Sequence, residues 1–126
     1  MGTLKMIAVT ALVLVSGTAA LAADFATPIV AANTGQTLEC ALTNVGTKPT
    51  NVTLELIDQT GATMPTVFNT CSVGVLQPRG SCVALPSTQP PLAAYCAVTS
   101  STTQVRASIA VFDSSGNTIV VVPVTR

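Results

Sequence analysis

Few side chains in these 126 residues have the type and spacing to do chemistry, and four of them are cysteines: Cys40, Cys71, Cys82 and Cys96. Such a set can hold a metal, act as redox nucleophiles or pair as disulfides. A structural metal site draws on thiolates and imidazoles at short spacings such as C-x-x-C. This chain has no such pair and no His, so we expect neither a metal nor a cofactor. Without His, the Ser-His-Asp and Cys-His nucleophile systems also lack their base. One carboxylate pair remains. Glu39 and Glu55 fall on neighbouring expected strands and alternate away from the core, so they could face one another across a sheet as a hydrolase would need. One Tyr and three Phe make a poor stacking platform for a sugar cleft, and exposed Glu is ordinary. We expect no catalytic role.

The elements that position these residues begin with a leader. Lys5 precedes an apolar run from Met6 to Val15, and Leu21-Ala22-Ala23 closes the stretch in small residues, the layout of a secretory signal peptide over residues 1–23. Cleavage is expected after Ala22, plus or minus one. Thr10, Ser16, Gly17 and Thr18 keep the apolar core below the roughly 20 residues of a spanning helix. The mature chain, residues 24–126, is therefore expected as one exported domain, periplasmic or extracellular, with no membrane association after cleavage. In that setting four cysteines read as two disulfides, with three possible connectivities. Cys71 and Cys82 flank the turn Pro78-Arg79-Gly80, which favours Cys71–Cys82 and leaves Cys40–Cys96.

Charge narrows the partners. Five basic and five acidic residues cancel, and only 8% of the chain is charged. This leaves no electrostatic footprint for nucleic acid, anionic lipid or a strongly charged protein. Another protein bound through a strand edge or loops remains the expected partner, and the composition leaves the oligomeric state open.

The hydrophobic period is two. Leu38, Cys40 and Leu42 alternate with polar or small residues, as do Val52, Leu54 and Leu56, and then Val105, Ala107, Ile109 and Val111. With Val67–Val75, Ser81–Leu85, Ala94–Thr99 and Thr118–Val124 they make about seven strands, enough for a two-sheet sandwich. The last run is continuously β-branched and could be buried on both faces, whereas as a long unpaired edge it would invite strand addition from a partner. Pro86–Leu92, with three prolines, is expected to cross between sheets. Asn51-Val52-Thr53 fits a glycosylation sequon but starts a strand and reads as chance, while Arg106 and Phe112 alternate outward as possible contacts.

The stretches Leu38-Glu39-Cys40 to Asn44-Val45-Gly46 and Val52 to Asp58 with Gly61 resemble the opening strands of bacterial immunoglobulin-like sandwich modules. Tyr95-Cys96-Ala97-Val98 and Val105-Arg106-Ala107-Ser108-Ile109 to Asp113 resemble their closing strands, as found in small exported bacterial proteins of unassigned role. The chain departs from antibody-type domains in having no Trp and in placing Tyr95 directly before Cys96. The resemblance implies an all-β, immunoglobulin-like antiparallel sandwich serving adhesion, partner binding or spacing, with carbohydrate or small-ligand binding by loops near Pro86–Leu92 as the alternative.

Overall fold

The computed structural model describes residues 23–124, so the leader reading lies outside the described residues apart from Ala23. Ten strands follow in order: β1 (Ala23–Ala26), β2 (Val30–Ala32), β3 (Thr37–Asn44), β4 (Thr50–Asp58), β5 (Thr66–Asn69), β6 (Val75–Leu76), β7 (Ser81–Pro86), β8 (Leu92–Ser100), β9 (Val105–Phe112) and β10 (Thr118–Pro123). All pairings are antiparallel and make two sheets. One runs β10-β9-β3-β7-β5; the other runs β1-β8-β4-β6, with β2 also against β8.

Alternation explains the long strands. In β3 the buried residues are Leu38, Cys40, Leu42 and Asn44; in β4, Val52, Leu54 and Leu56 face the same core from the opposite sheet. Ile109, Val105 and Val111 of β9 complete its fully buried centre. Each of the fully buried Val, Leu and Ile side chains contributes about 1.5–3 kcal/mol through burial.

Three strands exceed the seven expected, and each has a local cause. β1 and β2 together lie along β8, separated at Thr27-Pro28-Ile29. Thr27 bridges the gap: its N–H donates to the Cys96 carbonyl at 3.0 Å and its Oγ1 accepts from the Cys96 N–H at 2.9 Å. The expected strand Val67–Val75 is instead broken by a 3-10 turn, Thr70–Val73. Asn69 caps that turn by accepting from the Cys71 N–H, and Gly74, at φ 83°, ends it and releases β6 to the other sheet.

The chain changes sheet at every connection from β2 to β9, and Pro86–Leu92 carries one of these crossings. Only β9 and β10 form a hairpin. β10 decides between the two readings of its run: it pairs with β9 alone, and Ile119 and Val121 stand about half exposed, so it is an edge and not a doubly buried strand.

Candidate functional site

The four cysteines form two bridges. Cys40–Cys96 ties β3 to β8 across the two sheets, with Cα atoms 6.0 Å apart, and Cys71–Cys82 ties the 3-10 turn to β7 at 5.0 Å. All four are buried. Among the described residues no three His, Cys, Asp or Glu side chains come together as metal ligands.

The carboxylate pair does not assemble. β3 and β4 follow one another in sequence but belong to different sheets, and Glu39 and Glu55 point from the shared core to opposite outer faces. Their expected cross-strand meeting fails because the intervening turn carries the chain over the core. Glu55 instead accepts a long bond of 3.5 Å from the Thr63 hydroxyl.

That turn is built around Asn44, which is fully buried. Its Nδ2 donates to the carbonyls of Lys48 at 2.8 Å and Leu76 at 2.9 Å, while its Oδ1 accepts from the Gly46 N–H at 2.9 Å. A Cβ at Gly46 would lie 2.9 Å from the Gln104 Cβ, so this close approach requires glycine. Two other turns share one design, Asp-x-x-Gly. The Asp58 carboxylate accepts from the Thr60 hydroxyl and from the N–H groups of Ala62 and Thr60; that of Asp113 accepts from the N–H groups of Asn117 and Ser115. These bonds to the charged form hold both carboxyls below their ordinary value, led by the Thr60 hydroxyl for Asp58 and the Asn117 N–H for Asp113. Gly61 at φ 90° and Gly116 at φ 85° supply the left-handed residue that each turn needs.

The remaining candidates are surface residues. Arg106 is exposed and its guanidinium donates to the carbonyls of Thr103 and Val105. Phe112 is half-buried beside the β9–β10 turn, and Asn51 is exposed beside β6 at the start of β4. Hollows of about 260 and 170 Å³ flank the Pro86–Leu92 loop, sharing Thr88. The first is bordered by Asp58, whose carboxylate already serves its own turn. A larger, open hollow of about 430 Å³ lies on the outer face of β1, β8 and β4, where Ala26 and Ala97 leave room between Tyr95, Asp24 and Glu55.

β10 offers a different kind of site. The Val124 N–H donates to the Ala107 carbonyl at 2.9 Å, which fixes the phase of the β9–β10 ladder. Bonded and non-bonded pairs alternate in an antiparallel ladder. Val122 and Val120, opposite Ile109 and Val111, therefore bond inward, whereas Val121 and Pro123, opposite Ala110 and Ser108, turn their backbone groups outward. Thr118–Pro123 carries no charged side chain, the usual guard of an exposed edge. Proline here loses no ladder bond, because it sits where the N–H would face away from β9. Val121 was hidden in the sequence by the apolar run around it; Pro123, tolerated only at a sheet edge or end, was the available signal.

Neither a protein-family model nor a curated protein matches this chain.

Proposed function

We propose that the chain is a non-catalytic, exported structural or protein-interaction module that works by accepting an extended strand at β10. The observation that carries this reading is the uncharged edge Thr118–Pro123, with the outward N–H and C=O of Val121 at its middle. Strand addition takes its affinity from such main-chain bonds and its selectivity from alternate side chains, here Ile119 and Val121.

An immunoglobulin-like core is part of the same proposal. β3 pairs with β7, β4 pairs with β8, and Cys40–Cys96 links β3 to β8 between sheets. This parallels the central strands and inter-sheet bridge of immunoglobulin sandwiches. The margins differ. The N-terminal strands β1 and β2 flank β8, and the C-terminal β9 and β10 extend the other sheet from β3, so first and last strands occupy exchanged positions relative to that fold.

The test is a photo-crosslinking residue at position 121, compared with one at exposed Lys48, in the exported fraction of the producing cell. A protein adduct specific to position 121 is expected. Absence of an adduct there, or equal yields at both positions, would sink the reading.

A second reading, a small-ligand or carbohydrate-binding protein, is favoured by the hollow beside Tyr95, Asp24 and Glu55. The chain has one Tyr and no Trp, so tyrosine emission reports this hollow alone. A saturable change on adding a monosaccharide series would support this reading; a flat response would dismiss sugar.

A further inference from the structure

We infer that the strand received at β10 is β10 of a second copy, related by a two-fold axis at Val121; this rests on the edge-strand reading above. In an antiparallel self-pairing centred there, each Val121 N–H donates to the other copy's Val121 carbonyl. Pro123 excludes one neighbouring register. Sliding the strands so that Val121 faces the second copy's Pro123 leaves the Val121 carbonyl without a donor, because proline has none.

Side chains fit the same symmetry. On a two-fold axis, any charged residue meets its own twin or a near neighbour of it, and like charges opposite one another are destabilising. β10 has no charge to oppose, so self-pairing carries no such penalty. Opposite neighbours become Val120 with Val122, while the register shift between Thr118 and Val120 ends the regular edge before Ile119. Val122 already packs against the core, so the two cores become continuous along the joint. Val121, 52% exposed, gains its own twin as a cross-strand neighbour on the outer face. A formal net charge of zero adds no repulsion between copies.

Sedimentation equilibrium of the purified, oxidised protein tests this from about 1 µM to about 1 mM, the span of moderate to weak affinities. A monomer–dimer equilibrium is expected. Val121→Lys puts two ammonium groups on the axis, and Val121→Pro removes the outward donor without breaking the ladder to β9; each should weaken dimerisation at least about tenfold. Val67→Lys, on the opposite edge strand β5 and 70% exposed, should leave it unchanged. Circular dichroism confirms that each variant folds, and the lysine variant keeps the test decisive if the proline variant does not. A monomer throughout, a dimer that survives Val121→Lys, or one abolished by Val67→Lys would overturn the inference. If the purified chain is monomeric but position 121 crosslinks to a different protein, the self-pairing fails and the edge-strand reading stands. Absence of both removes the two together.

Discussion

Asn44 joins the β3–β4 turn to β6 through one buried amide. Asn44→Ala leaves the Leu76 and Lys48 carbonyls and the Gly46 N–H without partners. The expected loss is about 3 kcal/mol, read as a lower urea midpoint. The sequence marked Asn44-Val45-Gly46 as a turn, yet did not reveal the burial, because the partner Leu76 lies 32 positions away. Asp58 and Asp113 carry a pH dependence. Their folded values lie below 3.8, the unfolded reference, so their turn bonds stabilise the fold above that pH and are lost as pH falls through the lower folded values. The melting temperature should therefore drop below pH 3.8. Asp58→Asn with Asp113→Asn should make the drop shallower, because the amide oxygen still accepts bonds but no longer titrates in this range.

At the scale of elements, the long strands were legible because alternation spans enough residues to be unambiguous: Leu38, Cys40 and Leu42 in β3, or Val52, Leu54 and Leu56 in β4. β1 and β2 were not, being four and three residues long and interrupted by Pro28. Their place is set by β8, not by their own pattern. The candidate edge was legible only in part: a β-branched run looks the same whether it is central or marginal, and its single outer neighbour is a tertiary fact. The bridges act at this scale too. Cys40–Cys96 closes a separation of 56 residues and Cys71–Cys82 one of 11. On the chain-entropy account, replacing the first pair by Ala should cost about 4 kcal/mol and the second about 3, in that order of urea midpoints.

For the whole molecule, scarcity of charge sets the response to solvent. With 8% charged residues, raising sodium chloride from about 0.05 to about 0.5 M should barely move the urea midpoint. Ammonium sulfate should raise it by favouring burial. The sheet order could not be read from the sequence, and Glu39 with Glu55 shows why: consecutive strands suggest neighbours, whereas here the chain passes from sheet to sheet at nearly every turn. The cysteines, in turn, are nested, with the first joined to the last and the second to the third. If the chain is exported N-terminus first, as proposed above, Cys40 meets Cys71 and then Cys82 before Cys96 arrives. An oxidant that joins thiols in order of appearance would trap Cys40 with Cys71. Under that reading, native pairing requires either that oxidation wait for β8 to dock or that a disulfide isomerase reshuffle the first product, and a lower native yield in cells lacking the isomerase would identify the second route.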